Sequence, residues 1–232
     1  MTTFYRKRIG FLFWIYFSVV ACASHAEEIQ DTVMRTKSGF HPLIAIGYTW
    51  GGKSFADANY LDRKWYLPEI KSGVGFSLGA GGLYQFEHIP LALSLTISDH
   101  FDQEGGSNAK ITFERFPIEA LGYFTGKERF RFGGGIRWVK HPTYTASINT
   151  PFNKLPSTIS FDDTTSIVAE VGYQIDSRGW INLRYVSESY RANKINTTSG
   201  YQYGYPIGVT PLVSLGKPIN SAHIGINVIR EF

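Results

Sequence analysis

The stretch ERFRFGGGIRWVK, residues 128–140, decides how the rest of the chain is read. Three consecutive glycines suggest a loop that cradles a phosphate. That loop needs a strand before the glycines, a helix after them and, as a rule, a Lys-Ser/Thr pair. Here Ile136, Arg137, Trp138 and Val139 continue the alternation that precedes the glycines. The stretch is one β-strand with unlike faces, because successive strand side chains point to opposite sides. Phe130, Phe132, Ile136 and Trp138 share one face; Arg131, Gly133, Gly135 and Arg137 share the other.

The same period of two recurs along the chain and predicts eight strands. They are Phe40–Trp50, Gly73–Phe86, Leu91–Ser98, Ile111–Phe124, Phe130–Val139, Ile167–Ile175, Trp180–Glu188 and Ala222–Phe232. In the fourth the alternation is irregular and Pro117 interrupts it, so a bulge is expected near Arg115-Phe116-Pro117. The connections alternate in length. Glu87–Pro90, Thr125–Arg129 and Asp176–Gly179 are short. Gly51–Ser72, Asp99–Lys110, Lys140–Ser166 and Ser189–Ile219 are long, polar and read as loops. A soluble sandwich has no reason for this rhythm. A membrane barrel does, with tight turns at one rim and long loops at the other. The expected fold is all-β, an eight-stranded antiparallel up-and-down transmembrane barrel with short periplasmic turns and long extracellular loops.

Residue types orient the wall. The non-bulky face carries Glu119, Arg131, Arg137, Glu170, Gln174, Asn182 and Arg184, with many glycines. An Arg on the lipid face at mid-depth costs about 2–4 kcal/mol, and several together would exceed a typical domain's margin of about 5–15 kcal/mol. The charged face is therefore the lumen, and the bulky face meets lipid. Aromatics fall near the strand ends. Phe86, Phe124, Phe130 and Phe232 mark the short-turn interface, and Trp50, Trp138 and Tyr185 the outer one.

The chain has 232 residues and a net charge of +4. Its start, with Arg6, Lys7 and Arg8 before an apolar run from Ile9 to Ala23, reads as a secretory signal cleaved after Ala26. The run is too short to span a bilayer as a helix. Residues 27–39 form a short polar periplasmic lead, and residues 40–232 the barrel. Cys22, the only cysteine, lies in the signal, within a stretch similar to a lipoprotein box. Cleavage after Ala26 leaves a mature chain with no thiol, disulfide or cysteine metal site.

The signal segment, the strand and loop rhythm and the final aromatic resemble the small eight-stranded outer-membrane barrels of the OmpA/OmpX type, over residues 40–232. Ile224, Ile226 and Val228 before Phe232 resemble the terminal signal read by the outer-membrane assembly machinery. Arg230 departs from that signal, and near the interface it can snorkel for about 0–1 kcal/mol. The resemblance implies a Gram-negative outer-membrane location, with lipid, lipopolysaccharide and the assembly machinery as partners.

Eight strands enclose an interior just wide enough for side chains, and buried charges must be paired. Glu119, Arg131, Arg137, Glu170 and Arg184 are expected to form an ion-paired network across the lumen, as structural filling or as the gate of a narrow pore. Chemistry has one weak pair of candidates, Ser221 and His223, on the lumen face near the outer end of the last strand. A Ser-His-acid relay would need a loop acid, and a lipid acyl substrate would arrive from the opposite face. The other histidines have no zinc-like spacing, Asp162-Asp163 and Asp99–Asp102 lack a calcium-loop pattern, and no cofactor is expected. Net charge and compartment argue against nucleic acid. The long loops carry Tyr60, Trp65 and Tyr66, then Tyr144 and Phe152, then Tyr190, Arg191, Tyr201, Tyr203 and Tyr205. Exposed, these suit contact with an extracellular protein or glycan. Lys53, Lys64, Arg191 and Lys194 suit lipopolysaccharide phosphates. The expected role is structural or surface interaction, in adhesion or envelope integrity. The alternatives are a narrow or gated channel and, further off, a lipid A-modifying enzyme.

Overall fold

A computed structural model of the chain describes residues 37–59, 71–106, 109–127, 129–149, 154–202 and 205–232. The signal segment, most of the lead, and Tyr60, Lys64, Trp65, Tyr66, Phe152 and Tyr203 lie outside them. Within them the strands are β1 (Gly39–Gly51), β2 (Ala56–Asn59), β3 (Gly75–Gln85), β4 (Leu91–Gly106), β5 (Ala109–Lys127), β6 (Phe130–Asn149), β7 (Lys154–Phe161), β8 (Thr164–Asp176), β9 (Gly179–Ser187), β10 (Ser189–Asn196), β11 (Ser199–Gln202), β12 (Tyr205–Pro211), β13 (Pro218–Asn220) and β14 (His223–Glu231).

Eight of these close a barrel. β1 pairs with β3, then β4, β5, β6, β8, β9 and β14 follow in turn, and β14 pairs back with β1. Every pairing is antiparallel. Closure leaves no free edge, the condition for strands to cross a bilayer with all backbone groups satisfied. The exterior is apolar as the alternation predicts: Ile44, Leu78, Leu95, Phe132, Ile167, Leu183 and Ile226 all face outward and are exposed. At the outer end Trp50, Ile224 and Tyr185 are laterally paired neighbours on β1, β14 and β9.

The wall does not stop at the outer rim. β4, β5 and β6 run on past the membrane band, and above the rim β6 pairs with β7, β7 with β10 and β10 with β13. The stretches Asp99–Lys110, Lys140–Ser166 and Ser189–Ile219, read from sequence as polar loops, are thus largely strands. Their alternation is real, but water surrounds them, so their outward residues are polar and their composition is that of loops. A second, three-stranded sheet, β11-β12-β2, lies among the same outer segments. Together these parts make a folded cap.

The cap has its own core. Phe55 enters it from the first long connection and packs on Phe113, Tyr144, Phe161 and Tyr190, with ring centroids 4.6–6.1 Å apart. Ala56, Ile111, Val139, Ala146, Ile148, Leu155, Ile159, Ala192 and Val213 complete the cluster. Burying such a side chain contributes about 1.5–3 kcal/mol, so the cap is held by ordinary hydrophobic packing.

The expected bulge exists but sits on the other strand. Inward positions of β5 run without a break through Ile111, Phe113, Arg115, Pro117, Glu119, Leu121 and Tyr123. The register with β6 shifts between Glu114/Thr143 and Phe116/Lys140, which leaves one extra residue on β6. There His141 has φ 50°, a left-handed conformation uncommon outside glycine, in which histidine, asparagine and aspartate are the enriched exceptions. Below it Arg131, Arg137 and Val139 point inward; above it Pro142, Tyr144, Ala146 and Ile148 do. What looked like a phase change in β5 is a change of residue type at constant geometry.

Candidate functional site

Inward alternation from several strands brings the charged side chains together in the lumen. Arg131, Arg137, Arg184, Glu119 and Glu170 are all at most 6% exposed. Glu119 on β5 is the hub. Its Oε1 accepts from Arg137 Nη1 and its Oε2 from Arg184 Nη2, each at 2.7 Å. Arg184 Nε lies 3.2 Å from Glu170 Oε1, and Glu170 Oε2 accepts from Tyr123 Oη at 2.8 Å and Asn182 Nδ2 at 2.9 Å. These are the short, charge-assisted contacts that let buried ions persist.

Lumen-facing glycines, Gly133 of the opening stretch and Gly172 of β8, make this packing possible. A Cβ on Gly133 would stand 2.5 Å from the Tyr123 ring, and one on Gly172 2.8 Å from Arg131 Cγ. Lumen-facing glycine on one strand is the space that a long side chain from the next occupies.

Sequence reasoning missed four further members: Arg115, Glu188, Glu231 and His100. Arg137 Nε donates to Glu188 Oε1 at 3.1 Å, and Glu188 Oε2 accepts from Tyr190 Oη at 2.5 Å. Arg131 Nη1 donates to Glu231 Oε1 at 3.1 Å, and its guanidinium lies between the rings of Tyr123 and Trp180, 4.5 and 4.2 Å from their centroids. Arg115 donates to the Ser72 carbonyl and lies 4.9 Å over the Phe113 ring, where lumen and cap meet. His100 was read as a loop residue; it is 1% exposed on the lumen side of β4. Arg115 and Arg137 both reach its Nδ1, at 3.1 and 3.2 Å. Arg115 Nη2 also lies 2.9 Å from its Nε2, which is 3.0 Å from Thr49 Oγ1. Parity would have found all four, since each lies an even number of positions from a recognised lumen residue. With them the buried set holds Glu119, Glu170, Glu188 and Glu231 against Arg115, Arg131, Arg137 and Arg184, so acids and bases balance.

Apolar clusters flank these charges on both sides. Leu43, Leu83, Ala92, Leu121, Trp180 and Ile229 cluster inside the barrel toward the short turns, and the cap core stands over the outer end. A cavity of about 30 Å³ lies in the lumen between Ser77, Gly79, Ser94, Thr96 and Ser98 on one wall and Glu119, Glu170 and Arg184 on the other. That is room for about one or two waters.

Ser221 and His223 are both buried, but they do not form a nucleophile-base pair. Ser221 Oγ donates to the Ile219 carbonyl at 3.4 Å, and His223 Nδ1 lies 2.8 Å from the Ser221 backbone carbonyl. The nearby acid is Glu188, whose Oε2 is 4.0 Å from His223 Nδ1. Among the described residues no cluster of His, Cys, Asp or Glu has a metal-binding arrangement.

The loop candidates are redistributed. Tyr144 and Tyr190, expected to be exposed, are 1% and 0% exposed because they face the cap core. Arg191, one position from Tyr190, points to solvent. Trp65, Tyr66 and Tyr203 lie outside the described residues, as does the side chain of Tyr201. Arg230, expected to snorkel, pairs with Asp176 at 2.5 Å.

One cleft opens at the cap surface. Its volume is about 610 Å³, and Lys53, Lys71, Lys217, Leu212, Val213 and Ile219 are among its lining residues. It adjoins the extracellular end of the β1–β14 seam, where Gly52 N donates to Ala222 O beyond the last ladder pair, Gly51 and His223.

No protein-family model matches the sequence, and no curated protein matches it. Solved outer-membrane proteins are similar in structure at low identity. Neisserial surface protein A is 15% identical, with a TM-score of 0.42, over 84% of this chain and 98% of that one. Ail, the attachment invasion locus protein of Yersinia pestis, is 12% identical, with a TM-score of 0.47, over 84% and 100%. The outer-membrane protein AlkL is 11% identical, with a TM-score of 0.41, over 89% and 97%. With scores below 0.5, none of the three carries the fold, which stands on the chain's own register, closure and apolar exterior.

Proposed function

For a small outer-membrane barrel of the OmpA/OmpX architecture, we propose a role at the bacterial cell surface, in adhesion or envelope integrity, rather than in transport or catalysis. The observation that carries this reading is the filling of the lumen: an ion-paired middle between two apolar layers, with a cavity of about 30 Å³. Solute passage would require breaking buried ion pairs and displacing packed aromatics. What the chain offers to its surroundings is the cap, an outward-facing scaffold with a core of its own. Polar residues such as Lys110, Glu114, Thr145 and Arg191 form its outer face.

Planar-bilayer recording tests the closed lumen. Wild-type protein is expected to give no steady current. Arg131→Ala combined with Arg137→Ala is also expected to stay silent, because the apolar layers remain. Steady current through the wild-type protein would overturn the reading. The surface role is tested in cells with and without the gene, by adherence to host-cell monolayers and by survival in detergent with chelator. Identical behaviour in both assays would sink it.

A further inference from the structure

The cleft beside the β1–β14 seam lies at a particular height. Trp50 and Ile224 are the last outward-facing pair of that seam, and Trp50 is 44% exposed in the aromatic belt. Gly52, which begins the cleft, is two residues further on, roughly 7 Å at the strand rise of about 3.4 Å per residue. Aromatic belts sit at headgroup level, so the cleft opens at or just above the headgroups of the outer leaflet.

Its lining is divided in chemistry. Lys53, Lys71 and Lys217 bring three ammonium groups from three separate segments. All three residues are exposed, and among the described residues none has an ion-pair partner; the exposed lysine that does is Lys140, with Asp163. Leu212, 51% exposed, supplies apolar surface beside them with Val213 and Ile219. The volume falls within the roughly 300–1,000 Å³ of small-molecule sites. Three exposed lysines beside apolar surface at headgroup depth match an anionic amphiphile. A soluble polyanion would leave the leucine without a partner.

We propose that this cleft binds the phosphorylated saccharide headgroup of an outer-leaflet lipid. The three lysines neutralise phosphate, and Leu212 contacts the lipid's apolar margin. The inference rests on the preceding section only in placing the cap outside the cell, and it does not depend on the lumen being closed. Bound lipid would tie the first and last connections together at the one seam where chain ends meet.

Calorimetric titration of the full-length barrel in zwitterionic detergent tests it, with diphosphoryl lipid A as the probe. One lipid per barrel is expected. Enzymatic dephosphorylation of the lipid is expected to weaken binding by about tenfold or more, as is K53Q/K71Q/K217Q, since charge-assisted contacts supply the affinity. Surface glutamines leave the fold intact, which gel mobility of the folded barrel checks. Leu212→Ser is expected to weaken lipid A binding but not that of inorganic pyrophosphate, which separates a headgroup from free phosphate. The proposal is overturned if the triple variant binds lipid A as wild type does, or if Lys110→Gln with Lys194→Gln weakens binding equally. Tighter binding of a heparin oligosaccharide than of lipid A at these lysines would also overturn it. Any of these results can occur with bilayer current still absent, so failure here leaves the sealed-barrel reading untouched.

Discussion

The lumen and the cap are built by the same alternating strands, yet their interiors are opposites. Within the membrane band the middle of the inside is Glu, Arg, Asn and Ser, with an apolar cluster only toward the short turns, and the outside is Leu, Ile, Phe and Trp. Above the rim the inside is Phe55, Phe113, Tyr144 and Ile159, and the outside is Lys, Thr, Glu and Asn. The exterior medium sets this. Lipid demands an apolar outer face, so polar residues can go only inward, where they must pair. Water demands nothing of the outer face but polarity, so the cap keeps its apolar residues for a conventional core. Neighbouring strands make the crossing in two ways. β5 keeps its geometry and exchanges residue types around Arg115. β6 keeps its apolar residues at even positions and turns them from outside to inside with the bulge at His141.

If the two interiors are held by different forces, they should fail differently. The largest effect is expected at Glu119, which serves both Arg137 and Arg184. Glu119→Ala leaves two buried cations short of a partner, and removing one member of a buried ion set costs about 3–5 kcal/mol. Urea unfolding in lipid vesicles, followed by Trp fluorescence, should show that loss for the whole barrel. Replacing Glu119, Glu170, Glu188, Arg137 and Arg184 together by Met should cost far less, because no member of these ion pairs is left without its partner. A fivefold variant as unstable as the single one would show that the network is packing rather than electrostatics.

Phe55→Ala should cost about 3 kcal/mol, the low end for truncating a buried Phe, since its connection can partly settle into the gap. The loss should be confined to the cap. Limited proteolysis should cut the cap faster while the membrane band keeps its heat-modifiable gel mobility. If barrel and cap weaken together, the two cores form one cooperative unit and the contrast drawn above is only chemical.

The barrel was legible because lipid enforces a strict rule on every outward residue. Phe130, Phe132, Ile136 and Trp138 identified their strand without reference to any partner. The cap was not, because a stretch such as TYTASIN, inside Lys140–Ser166, carries alternation too short and too polar to tell from a loop. The lumen was half legible: Glu119, Arg131, Arg137, Glu170 and Arg184 lay in the middle of recognised strands. Glu188 and Glu231 stand at strand ends, His100 was assigned to a loop, and Arg115 lay where hydrophobic parity inverts. Parity counted past the rim places all four. Tyr144 and Tyr190 were misread for the same reason, since an aromatic in a polar stretch looks exposed until the stretch is known to be a strand.

The smallest effect should come from the joint between the two regions. Asp163 accepts from Lys140 Nζ at 2.8 Å and from the His141 amide at 3.0 Å, so it clasps the bulge at which β6 turns over. The hydrogen bond from Lys140, with that from the His141 backbone, holds the Asp163 carboxyl below its ordinary range. A depressed carboxyl stabilises the fold above its unfolded pKa, near about 3.9 for Asp, and loses that contribution as pH falls through its lower folded value. The pair is exposed, so the effect is modest. Asp163→Asn should lower the cap's resistance to unfolding at neutral pH, and the difference from wild type should shrink as both are brought to about pH 2. A gap that persists unchanged in acid would mean that the bulge is held by shape alone. The inversion of β6 would then owe nothing to charge, and the two strands would differ only in where they place their residues.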